Sequence, residues 1–360
     1  VDAAAPPAPA ARGDRAARGP GEHLDVPGAF AAGWALSGAG LGERFDAGIA
    51  AAVLAAAEHP GRHVTEATLR LGHLTGIWAT VYKRQDDLYA MSAVGVLVAW
   101  RKLLRDLDIA AMVAALRRQF LMGDDGSPAA GTGSDSPAAA KYHKAELKTA
   151  AASLAAGLLA VLPSLPLFAA FLADIETALG LAAAEGFASA LAVAASQAGH
   201  AGFDWDAATA DGQSHAPPEG AADAIAAAII AGCVTDLAVT LTRMAAEGAT
   251  AAAMARFVRD YLRDPKALAA YLQHAMGAAA TAVALALFGQ AQIERVLFIT
   301  AGDDRVCAEC DALEDANPYT AETFPHLPVH IKCRCQPHSE GGNAALFDMY
   351  AAYITQRRAA

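Results

Sequence analysis

Residues 230–244, IAGCVTDLAVTLTRM, set Ile230, Val234, Leu237, Leu241 and Met244 at alternating steps of four and three. That is the spacing of one face of an α-helix. Cys233 falls inside the same segment and reads as a small apolar core residue, the usual place of a lone cysteine in an apolar helix. Outward from this stretch the helical habit recurs over most of the chain. Of its 360 residues, 55% are hydrophobic, and much of that share is alanine, the best intrinsic helix former. The expected fold class is mainly α: an Ala-rich helical body with a small C-terminal α+β segment.

Upstream, residues 1–30 are rich in Ala, Pro, Gly and Arg, show no sustained apolar period, and read as a disordered N-terminal arm. Residues 31–122 form an expected N-terminal helical region. In it Thr65 caps a helix through Leu69, Ile77 and Val81; a second carries Val94, Leu97, Leu104 and Leu107; a third carries Ile109, Met112, Leu116 and Phe120. Arg117 and Arg118, near the end of the third, suit the negative end of a helix dipole as solvated cations. Residues 123–140, which open GDDGSPAAGTGSDSPA, are a linker. Residues 141–292 form a central helical region, broken between Gly199 and Gly220 by a stretch holding His200, Trp205, His215, Pro217 and Pro218. Residues 293–342 hold a strand and a Cys/His segment, and residues 343–360 a C-terminal helix.

Two uncharged stretches, Thr149–Ala173 and Ala275–Gln292, raise the question of a membrane, since a spanning helix needs about 20 apolar residues. Pro163 and Pro166 interrupt the first, both are Ala-rich, and neither has a flanking Lys/Arg asymmetry. Burial in the core, or against another subunit, is expected, and membrane contact is not. Charged residues make up 18% and the net charge is −11. Phosphate neutralisation needs Lys and Arg, so no sequence-specific nucleic-acid binding is expected. No charged segment followed by an apolar core opens the sequence, so no secretory signal is expected. The acidic pairs Asp86-Asp87 and Asp124-Asp125 read as a solvated helix face and part of the linker.

Near the C-terminus, Arg295-Val-Leu-Phe-Ile-Thr300 has the β-branched and aromatic content of a short strand, and Asp303 and Asp304 suit the turn leaving it. Cys307-x-x-Cys310 follows, and after a loop Phe324-Pro-His-Leu-Pro-Val-His-Ile-Lys-Cys-Arg-Cys335 supplies His330, Cys333 and Cys335. Structural zinc sites take four cysteines, or three with a histidine, in a tetrahedron. One structural Zn2+ per chain is expected, held by Cys307, Cys310, Cys333 and Cys335, with His330 as the alternative ligand. Alternate residues of an extended strand point to opposite faces, so the all-cysteine set needs a bend at Arg334; without it His330 completes the site and Cys335 is spare. Two disulfides or a redox Cys-x-x-Cys are the alternatives, although the latter normally accompanies a βαβ pattern, which is not evident here. The segment is poor in large apolar residues, and metal binding can supply its missing folding free energy. Lys332 and Arg334 flank the ligands as solvated cations.

Taken together, a helical region, a short strand, Thr300 with Asp303-Asp-Arg-Val-Cys-x-x-Cys310-x-x-Leu313, and then Pro328-x-His330-x-x-Cys-Arg-Cys335 resemble the phage head morphogenesis family, the phage Mu F-like minor head proteins. Cys307, Cys310, His330, Cys333 and Cys335 fall on that family's motif positions. One departure is Phe298, where the family often carries an aromatic such as Trp shortly before the Asp. The resemblance implies a non-enzymatic minor structural protein of a tailed-phage head. Its expected place is the virion, in the head interior or at the portal vertex, after assembly in the bacterial host cytoplasm. Its expected partners are portal or capsid proteins, with self-association in addition, and its expected role is head assembly and DNA packaging or delivery. The alternatives are a Cys/His or zinc-dependent hydrolase using Cys307 or Cys333 with His330, and a membrane-active protein using residues 149–173 and 275–292 in genome delivery.

Overall fold

Helix starts follow side-chain caps. Asp25 accepts the Gly28 N–H (3.1 Å), Asp204 that of Ala207 (3.0 Å) and Thr250 Oγ1 that of Ala253 (3.1 Å), each satisfying an amide that the first turn leaves unpaired. In the computed structural model the described residues are 24–36, 77–106, 108, 110–111, 113–114, 144–200, 202–215, 221–263, 266–300, 306–329, 333–340 and 343–359. They form α1 (Val26–Leu36), α2 (Ile77–Leu103), α3 (Lys144–Val161), α4 (Phe168–Gln197), α5 (Trp205–Gln213), α6 (Ala221–Ala246), α7 (Ala251–Arg263), α8 (Lys266–Gln290), α9 (Ala308–Asp315) and α10 (Asn343–Ala359). Two strands, β1 (Val296–Ile299) and β2 (Gln336–Ser339), pair antiparallel with Val296 opposite Ser339 and Ile299 opposite Gln336. The fold is mainly helical with a small α+β segment at its C-terminal end.

The core is built around α4, against which α2, α5, α8 and α10 pack. From Ala182 to Ala195 every residue of α4 is buried, so this stretch is apolar on all sides because no side of it meets water. Alanine makes that possible by letting helix axes approach closely. Where α4 meets α8 even a methyl group is too large: a Cβ on Gly186 would lie 2.5 Å from the Ala280 Cα. The single charge in the buried stretch, Glu185, is held by a two-point ion pair to Arg84 of α2, Nε–Oε1 at 2.8 Å and Nη2–Oε2 at 3.1 Å. The guanidinium also reaches Thr209 Oγ1 (3.2 Å) and lies 4.9 Å over the Trp205 ring of α5. One arginine thus ties three helices together.

The α6 reading holds. Ile230, Val234, Leu237 and Leu241 are buried, Met244 packs on them, and Cys233 is a fully buried core residue. Pro163 ends α3 as expected, and a 3-10 turn at Leu162–Ser164 leads into α4. Ala275, Met276 and Ala278 to Ala284 of α8 are buried.

Other expectations need correction. The end of the 1–30 arm is ordered: Leu24, Val26, Ala29 and Phe30 are buried, and the Phe30 ring lies 5.6 Å from that of Phe187. The helix expected through Ile77 and Val81 and the second one expected to carry Val94 and Leu97 are one helix, α2, because no Gly or Pro separates them before Gly95. The break between Gly199 and Gly220 contains α5. The linker 123–140, the segment from Thr65 to Leu69, Leu107, and Ile109, Met112, Leu116, Arg117, Arg118 and Phe120 lie outside the described residues. Four spans among the described residues are long and apolar enough to cross a membrane. The most apolar window of Phe168–Gln197 is 89% buried inside the protein and that of Leu147–Ser164 only 28%, so the first is core and the second leaves much of its surface outside.

Candidate metal centre

Short-range polar contacts fasten α9 to β1. The Glu314 carboxylate accepts both the Thr300 N–H (3.2 Å) and its hydroxyl (2.8 Å). The Asn317 side chain accepts from the Phe298 N–H (2.6 Å) and donates to its carbonyl (2.9 Å), which is the pairing a neighbouring strand would offer. Tyr319 and Val296 exchange two backbone hydrogen bonds of 2.8 Å. On its other side β1 pairs with β2, whose first residue follows Cys335 directly. Two residues of α2 cover the assembly. Gln85 and Gln336 exchange amide hydrogen bonds (2.9 and 3.3 Å), and the Tyr82 hydroxyl donates to the Thr300 carbonyl (3.4 Å). The cysteines are therefore gathered by a scaffold of hydrogen bonds together with a packed apolar set, Val296, Phe298, Phe324 and Leu327.

Cys310, Cys333 and Cys335 form a group whose sulfurs all lie within 4.8 Å of one another, able to hold a metal ion. The Cys310 and Cys333 sulfurs are 3.9 Å apart. Tetrahedral thiolates at about 2.3 Å from zinc would be separated by about 3.8 Å, so the spacing already fits the edge of such a site. Cys310 and Cys335 are buried and Cys333 is half-buried. All five cysteines are free thiols. Cys333 and Cys335 reach the same point, as the bend expected at Arg334 requires.

Cys307 stands just outside the three-sulfur group. It is the N-cap of α9, and its Sγ accepts the Cys310 N–H at 3.4 Å. His330, Lys332, Asp303 and Asp304 lie outside the described residues, and Arg334 is half-buried.

Burial and the crowding of sulfurs disfavour the ionised thiols. Burial, then the Cys333 charge, push the Cys310 thiol well above its ordinary range. Cys335 is raised by its hydrogen bond to Cys333 and then by burial. The field extends to α2: burial raises Tyr82 and the Cys335 charge adds to it, while burial, Asp86 and Cys333 raise Tyr89. A bound cation reverses this logic, because it stabilises the thiolates that otherwise repel one another. Sequence reading did not mark Gln85, Glu314, Asn317 and Gln336, whose side chains are engaged in hydrogen bonds of the scaffold. The usable signal was Gln85, a polar residue that helical spacing places on the same buried face as Val81 and Tyr82.

Against known protein families, characterised proteins and solved structures, the chain shows no match.

Proposed function

We propose that the protein is a minor structural component of a tailed-phage head, associated with the portal vertex, whose C-terminal segment is organised by one structural zinc ion. The observation that carries this reading is the convergence of Cys310, Cys333 and Cys335 from the two halves of the motif that resembles the Mu F-like minor head proteins. Cys307 supplies the fourth thiolate by a rotation of its side chain, keeping the Cys310 N–H as a hydrogen-bond donor to sulfur. With Cys307 as fourth ligand the proposed site is closed and offers no open position for a reacting water, as a structural zinc requires. In this reading the partners are portal and capsid proteins, and the protein resides in the virion after assembly in the host cytoplasm.

The test is the composition of density-purified heads of the virus that encodes this chain. A few copies per particle, lost together with the portal fraction when heads are disrupted, are expected. Particles with normal DNA content and none of this protein overturn the assignment.

A further inference from the structure

On α2, the face turned away from the core is apolar at its centre. Met91 is 71% exposed, Val94 63% and Val98 40%. These positions follow the three- and four-residue steps of a single helix stripe, with Gly95 beside them, and they are the largest exposed run of apolar side chains on any one helix among the described residues. The ends of the stripe are charged with opposite signs: Asp87 on the N-terminal side, paired in cis with Lys83, and Arg101 and Lys102 on the C-terminal side. Lys102 and Asp87 are exposed, and Arg101 also reaches the Arg263 carbonyl.

We propose that this face of α2 is a two-fold interface with α2 of a second copy of the chain, the two helices running antiparallel. Asp87 at one end of the stripe, ion-paired within the helix to Lys83, and Lys102 at the other are opposite in sign and flank the apolar centre, so the stripe is complementary to itself when reversed, as an isologous contact requires. With the two-fold axis between Val94 and Gly95, Val94 of each copy meets Gly95 of the other, and Met91 meets Val98. Each Asp87 then faces Lys102. The small Gly95 lets the helices approach where the axis crosses. The parallel arrangement would set Asp87 against Asp87 and Lys102 against Lys102, so charge selects the orientation. This inference does not depend on the metal.

Sedimentation velocity of the full chain at low salt, at about 100 µM where a micromolar Kd fills the dimer, tests it. Dimer is expected. The double variant Met91→Lys/Val94→Lys is expected to be monomeric with an unchanged helical spectrum and melting temperature, since both side chains face solvent in the monomer; Val98→Lys serves the same purpose if that variant does not fold. Asp87→Lys alone and Lys102→Glu alone each put like charges at both ends and weaken the dimer about tenfold. An equimolar mixture of these two variants restores every opposed pair, and dimerisation should recover in the mixture only. A monomeric wild-type chain, a dimer indifferent to Met91→Lys/Val94→Lys, or a mixture no tighter than its components overturns the proposal.

Discussion

Single residues carry much of the specificity of this helical body. Glu185 is 4% exposed in an apolar helix, and Arg84 neutralises it with two hydrogen bonds. Removing one partner leaves a buried charge, so Arg84→Met should destabilise by about 3 kcal/mol in urea titrations, while Arg84→Met with Glu185→Leu should recover most of that loss. Two histidines impose a pH dependence. Burial holds both His215 and His338 below the ordinary value of 6.5; His215 meets the Tyr353 hydroxyl (3.3 Å) and His338 the Gln197 amide (2.8 Å). The unfolded chain therefore takes up protons that the folded chain refuses, and stability falls as pH drops through about 6.5 towards the lower folded values. The urea midpoint should fall between about pH 7.5 and 5.5, and by less in His215→Gln/His338→Gln at the same zinc concentration. Periodicity cannot reveal such residues. It marked the α6 stripe and Cys233, but the Arg84–Glu185 pair and the Gln85–Gln336 amides depend on partners about a hundred or more positions away in the chain.

At the scale of elements, tertiary context decided what propensity left open. The second strand reads Gln-Pro-His-Ser and has no β-branched residue; it is extended because β1 offers it a register, and strand propensity follows such context. Residues 24–30 look like a tail by composition, yet Phe30 sits between Phe187 and His215, at 5.6 and 5.0 Å. Helix α5 is short and lies between glycines, and its only clear local signal is the Asp204 cap. The close crossing of α4 and α8 makes a firm expectation. Gly186→Ala forces a methyl group into the Ala280 backbone and should cost about 1–3 kcal/mol, read as a lowered melting temperature, even though alanine is the better helix former. An unchanged or raised melting temperature would show that the two helices do not meet there.

For the whole molecule, the alanine-rich helical body and the cysteine segment share one buried apolar cluster, to which the segment adds Val296, Phe298, Phe324 and Leu327. Backbone pairing, Glu314 and Asn317 fasten the segment further. Cys310, Cys333 and Cys335 were legible as candidate ligands from the Cys-x-x-Cys and Cys-x-Cys spacing. The scaffold that brings these three together was not, because hydrogen bonds between remote polar residues leave no period in a sequence. The most direct test is metal analysis of purified full-length protein combined with thiol counting, on wild type and on Cys310→Ser, Cys335→Ser and Cys233→Ser. About one zinc per chain is expected in wild type and Cys233→Ser and less than about a tenth of that in the other two, with the cluster thiols reactive only after chelation. Wild-type protein that carries no metal and shows either freely reactive cluster thiols or disulfides among them would contradict the account.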